Sequence, residues 1–150
     1  MRLLIPEIFD KLADATPAER SEILRKNDTG TLREVLRCNF DPAIQFDLPK
    51  GAPPYKASPH PVYMAESNFF AEQRRMYLLI KNHPRRPKNI KPMQIENIFI
   101  QMLEGINAVE AEMLIALKDK ALTKRYKGLT ENLVKTTFPG LLPEPVSEKA

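Results

Sequence analysis

Cysteine occurs once in these 150 residues, at Cys38, so no disulfide can form within the chain. Tryptophan is absent, histidine occurs only at positions 60 and 83, and the five glycines all stand apart. No Cys/His cluster has the spacing of a zinc site, and no run of glycines offers a phosphate-cradling loop. His60 and His83 each sit beside proline in separate stretches, and no carboxylate pair sits in an apolar setting that would split two pKa values for acid–base work. No apolar run approaches the roughly 18 residues that a membrane span requires, and Met1–Glu7 is too short and too charged for a signal-peptide core. These absences lead us to expect no catalytic residue, no metal, no cofactor and no membrane contact, in a soluble cytoplasmic chain. Cys38 reads as a packing residue, because nothing near it in sequence could activate a thiol.

What is present suits a folded domain. Apolar residues make up 43% and charged residues 28%, which argues against disorder throughout. A chain of this length buries roughly 70% of the surface its unfolded form exposes, enough for a core without a covalent staple. We expect a single domain over 1–142 with a flexible tail over 143–150, mostly helical and with little or no sheet.

Helix signals are dense in the first forty residues. Ile5, Ile8, Phe9 and Leu12 recur at helical spacing, so 6–14 reads as an amphipathic helix with Pro6 in its first turn. Thr16-Pro17-Ala18-Glu19 combines a capping threonine, a proline at the first helical position and a glutamate able to reach back, and Asn27-Asp28-Thr29-Gly30 ends that helix. Thr31 and Glu34 suggest a second capping box for a helix over 31–40, with Leu32, Val35 and Leu36 buried. Asp41-Pro42 stops it, since the residue before proline is pushed out of the helical region.

Residues 41–61 hold six of the fourteen prolines. Because Ile44, Phe46, Leu48 and Tyr55 are interspersed among them, this stretch reads as an extended strap laid across helices, with Ile44–Leu48 presenting one buried face. Beyond it the pattern predicts a long helix from Val62 to Ile80, with Glu66, Phe69, Phe70, Gln73, Tyr77 and Ile80 on one face. A helix from Pro92 to Gly105 follows, then one over 108–119 capped near Asn107, and a last one over 130–138 capped by Thr130 with Leu129 stapled to Val134. Glu110 and Glu112 are expected on an exposed helix start, where acids favour the dipole.

Two basic segments separate these helices. Residues 81–91 carry Lys81, Arg85, Arg86, Lys88 and Lys91 with no acid; residues 118–127 carry Lys118, Lys120, Lys124, Arg125 and Lys127 against Asp119 alone, with Tyr126 among them. Clustered cations release counterions from a phosphate backbone and a ring can cover a base, so nucleic acid is one partner class. An ordinary solvated surface and an acidic protein partner remain alternatives. Arg74-Arg75 and Arg85-Arg86 are candidates for bidentate clamping of a carboxylate or phosphate. A helix-turn-helix over 108–138 is disfavoured, since the connector is much longer than the usual turn of about three or four residues.

Two stretches carry a family likeness. Asn39-Phe40-Asp41-Pro42 with Leu48-Pro49-Lys50-Gly51-Ala52-Pro53-Pro54-Tyr55-Lys56 is one; Leu114–Lys120 running through Tyr126-Lys127-Gly128-Leu129-Thr130 to Phe138-Pro139-Gly140 is the other. Together they resemble an uncharacterised family of small proteins of T4-like tailed phages, over most of residues 20–142. The resemblance implies a protein made in the cytoplasm of an infected bacterium, serving replication, transcription or host takeover, or else attached to the virion. It carries over no activity and no catalytic residue.

The sequence therefore leads to a non-enzymatic accessory protein that engages nucleic acid, or the machinery of replication or transcription. Arg85, Arg86, Lys88, Lys124, Arg125 and Lys127 would supply phosphate contacts and Tyr126 a stacking ring. The alternative is a structural or protein-interaction component, such as a minor virion protein or a binder of a host enzyme. It would use the strap around Ile44–Tyr55 or the Phe69–Phe70 face as an apolar contact.

Overall fold

The computed structural model describes residues 3–59, 65 and 67–143. Its helices are α1 (Ile5–Asp10), α2 (Pro17–Lys26), α3 (Gly30–Phe40), α4 (Phe69–Glu72), α5 (Pro92–Gly105), α6 (Ala108–Lys118), α7 (Leu122–Arg125) and α8 (Glu131–Thr137), with a 3₁₀ stretch over Gln73–Leu79. The fold is mostly helical, as composition and periodicity indicate.

Local chemistry explains most boundaries. Thr16 accepts the Glu19 N–H at 3.3 Å while Glu19 accepts the Thr16 N–H at 2.8 Å, so the expected box opens α2. Helix α1 ends four residues earlier than the periodicity suggests, at Asp10. The guanidinium of Arg20 takes the Leu12 and Ala13 carbonyls at 2.8 and 3.5 Å, which holds the chain in a turn while Leu12 still reaches the core. The cap of α3 is Thr29, whose hydroxyl accepts the Leu32 N–H at 3.0 Å; Thr31 lies inside the helix and donates to Gln73. Gly30 therefore begins α3, and the expected box at Thr31 and Glu34 does not form.

The long helix expected over Val62–Ile80 is also corrected. Residues 60–64 and 66, with His60 and Glu66, lie outside the described residues. Within the described part, Asn68 caps a short new helix by accepting the Ala71 N–H at 3.0 Å, and from Gln73 the winding tightens to 3₁₀. The tighter turn shifts the buried face to Phe69, Met76, Leu79 and Ile80, and leaves Gln73 and Tyr77 partly exposed.

Helix α6 is the hub of the packing. It contacts α1, α3, α5 and α7, while α8 lies against α2. One continuous cluster of buried apolar side chains runs from Ile5 to Leu142, with Phe9, Phe69 and Phe99 its largest fully buried members. Leu129 and Val134 are both fully buried beside the Thr130 cap, as a hydrophobic staple requires.

The proline-rich strap is held along its length. Phe46 and Ile80 form an antiparallel bridge, with the Asp47 N–H donating to Leu79 O at 2.7 Å and the Lys81 N–H to Gln45 O at 2.8 Å. Ile44 and Phe46 turn into the core, which satisfies the predicted one-sided burial. Farther on, the Gly51 N–H donates to Asp119 at 3.1 Å and the Lys56 N–H to Glu104 at 2.8 Å. Among the described residues no helix is long and apolar enough to cross a membrane.

Candidate functional site

The two basic segments flank the strap, and the fold gives them different work. Lys118 is buried, and its ammonium donates to the carbonyls of Pro49 and Gly51, both at 2.7 Å, and to Asp119 at 2.6 Å. Lys120 donates to the carbonyls of Asp41 and Ile44. Proline-rich chain lacks N–H groups and cannot close a ladder on its own, so these lysines supply the missing donors. The positive charge read in the sequence as a binding surface is here spent on holding the strap.

The rest of 118–127 departs further from expectation. Tyr126 is 5% exposed, and its ring packs on Phe9 with centroids 5.2 Å apart, so it cannot serve as a stacking platform for a base. Burial also raises the pKa of its phenol. Arg125 is exposed but forms an ion pair with Glu112, leaving Lys124 and Lys127 as the exposed cations of this group without an ion pair to the described residues. The apolar contacts of the alternative reading are interior as well: Ile44, Phe46 and Phe69 are buried, and Phe70 packs against the core.

The segment 81–91 keeps its charge outside. Lys81, Arg85, Lys88 and Lys91 are exposed and make no ion pair with any of the described residues. Arg86 is the exception, its side chain 14% exposed and its guanidinium 3.2 Å from the Asp47 carboxylate, which ties the loop to the strap. Asn82 opens the loop in the left-handed region, at φ 60°, a conformation that asparagine tolerates better than most residues.

The two arginine pairs singled out in the sequence are split by the fold. Arg75 pairs with Glu72 at 2.7 Å and Arg86 with Asp47, while Arg74 and Arg85 line a common cleft. This cleft measures about 410 Å³ and is also lined by Gln73, Tyr77, His83 and Glu34. The Arg85 guanidinium lies 4.9 Å from the Tyr77 ring centroid, and the Tyr77 and His83 rings stand 5.4 Å apart. His83 Nδ1 accepts the Arg85 N–H at 3.1 Å, which fixes the ring within the turn. Sequence reasoning singled out the two arginine pairs but missed their meeting with Gln73, Tyr77 and His83, because the helical periodicity placed Gln73 and Tyr77 on the same face as Phe69 and Ile80.

Among the described residues, no group of three His, Cys, Asp or Glu side chains stands together to hold a metal ion. Cys38 is fully buried and its thiol is pushed up to about 12, chiefly by burial, which suits a packing role. Glu110 corrects another expectation. It is fully buried at the start of α6, where it accepts the Phe69 N–H at 3.1 Å and the Asn107 amide at 2.8 Å.

No curated protein matches this chain. A family of unknown function, DUF6433, matches residues 8–124, most of the described fold and all of the cleft, and the chain belongs to that family.

Proposed function

We propose that the protein is a non-enzymatic accessory factor that binds nucleic acid through the loop at 81–91. One observation carries this. Among the described residues, Lys81, Arg85, Lys88 and Lys91 form a run of exposed cations without an ion pair, whereas Arg33, Arg37, Arg75, Arg86 and Arg125 are each paired with an acid. Unneutralised cations on one short loop are what a phosphate backbone recruits. Lys124 and Lys127 are auxiliary contacts. The resemblance to small proteins of T4-like tailed phages supplies the setting: the cytoplasm of an infected bacterium, with nucleic-acid-processing machinery as the surrounding partner.

Arg86 is a poor choice for a charge reversal, since its loss would also detach the loop from Asp47. Arg85→Glu with Lys88→Glu is the better test. Binding to a labelled oligonucleotide is expected to weaken by about tenfold or more for all sequences alike, with the salt slope reduced by about two. Unchanged affinity in the double variant would remove this reading in favour of a protein partner.

A further inference from the structure

The cleft beside the loop has a chemical polarity of its own. Four of the polar side chains lining it, those of Gln73, Arg74, His83 and Arg85, have donors left to offer. Gln73 accepts the Thr31 hydroxyl at its Oε1 (3.4 Å), which leaves the amide NH₂ to donate. His83 Nδ1 is occupied as an acceptor, so the ring's donor is Nε2. Arg74 uses only its Nε, on the Ala71 carbonyl, and keeps both terminal amino groups. Arg85 is held by its stacking on Tyr77, and a guanidinium so oriented loses less freedom on binding. The one acid in the wall, Glu34, has both carboxylate oxygens engaged by Arg37 at 2.7 to 3.1 Å. Its negative charge is thereby answered from outside the cleft.

Two guanidinium groups, an imidazole N–H and an amide NH₂ therefore converge on a cavity of about 410 Å³, within the usual range of small-ligand sites. A backbone phosphodiester has only two free oxygens and a single negative charge, which leaves one of the two guanidinium cations unanswered. A phosphate monoester offers three strong acceptor oxygens and up to two negative charges. We infer that this cleft seats a terminal phosphate monoester, Arg74 and Arg85 gripping its oxygens while His83 and Gln73 complete the shell. This deepens the nucleic-acid reading and rests on it for the source of the ligand, a 5′-phosphorylated strand end; a free nucleoside monophosphate carries the same chemistry.

The test compares two single-stranded oligonucleotides of one sequence, labelled at the 3′ end and carrying either a 5′-phosphate or a 5′-hydroxyl. Fluorescence anisotropy on the wild-type chain is expected to show about tenfold tighter binding of the phosphorylated strand, the worth of a charge-assisted bidentate contact. Arg74→Gln should abolish most of that preference, lowering affinity for the phosphorylated strand far more than for the hydroxyl strand, because Arg74 lies outside the 81–91 loop. Competition with a nucleoside monophosphate separates the sources. Displacement of the phosphorylated strand at comparable concentrations assigns the cleft to free nucleotide, whereas weak displacement assigns it to strand ends.

Equal binding of the two strands, with no binding of the monophosphate, overturns the inference and leaves the loop reading intact. Binding of the monophosphate without either strand keeps the cleft and overturns the loop reading. Absence of all binding overturns both.

Discussion

The buried carboxylate of Glu110 accepts the backbone N–H of Phe69 at 3.1 Å, which joins the first turn of α6 to the first residue of α4. Its other oxygen takes the Asn107 amide, and among the described residues it has no ion pair. Burial raises its pKa above the ordinary 4.5, the two Phe69 and Glu7 influences being secondary. The folded chain thus holds this proton more tightly than the unfolded chain does. The stabilisation that follows is complete below pH 4.5 and is lost as pH rises through the native pKa. Glu110→Gln cannot titrate, so the melting-temperature difference between wild type and this variant should shrink as pH is raised from about 5 to about 8. A difference that stays flat over that range would mean that the folded and unfolded chains bind the same number of protons at Glu110, so that burial does not raise its pKa.

Lys118 offers a test of the strap. Replacing it by methionine keeps the apolar stem but leaves the Pro49 and Gly51 carbonyls without their donor and Asp119 without its ion-pair partner. Loss of one partner from a buried charged network costs about 3–5 kcal/mol, and each orphaned group contributes about 1–3 kcal/mol of that. Urea unfolding of Lys118→Met should show a loss of this order, and limited proteolysis should open new cleavage sites near Pro49–Pro54. A variant that is destabilised but protected there would mean that the strap is held by its other contacts.

Signals confined to a few residues were legible in the sequence. The Thr16/Glu19 box, the Asn107 and Thr130 caps and the stop at Asp41-Pro42 depend on neighbours within about four positions, and the structure has all of them. Competing local signals were harder. Thr29, read in the sequence as part of the turn that ends the preceding helix, takes the cap two residues before Thr31, whose hydroxyl is drawn off to Gln73, 42 residues away. The fate of each charge was illegible for the same reason. Lys118 meets Pro49 across 69 positions and Glu110 meets Phe69 across 41, and no periodicity encodes such pairs. The cleft depends on them too: the switch to 3₁₀ winding at Gln73 is what turns Arg74 and Tyr77 toward His83 and Arg85.

Gly128 and Gly140 separate backbone strain from crowding. Both have positive φ, +92° and +87°, where an L side chain is strained. A Cβ at Gly140 would meet nothing within 4 Å, but one at Gly128 would lie 2.8 Å from Arg20 Nε and 2.9 Å from Leu12 O, directly on the hydrogen bond between them. Gly140→Ala should therefore cost only the conformational term of about 1–2 kcal/mol. Gly128→Ala should cost a further 1–3 kcal/mol or so, since a backbone oxygen cannot step aside. Parallel denaturant titrations measure the gap, and equal losses would show that the α1–α2 turn yields.

Cys38 should be silent toward thiol reagents while the chain is folded. The thiolate is the reacting species, and burial lifts this thiol from 9.0 to about 12, with the nearby Glu34 carboxylate adding to the effect. A rise of that size lowers the thiolate fraction at neutral to mildly alkaline pH about a thousandfold. The sulfur is also fully enclosed, so a reagent must wait for the structure to open. Labelling with a chromogenic disulfide at mildly alkaline pH is expected to be negligible over minutes in buffer and complete within seconds in denaturant. Its rate should rise in the Lys118→Met and Gly128→Ala variants by about tenfold for each 1.4 kcal/mol of stability lost, because each shifts the population of open chain. Stoichiometric labelling of the native wild-type chain within minutes would show instead that α3 opens locally around Cys38.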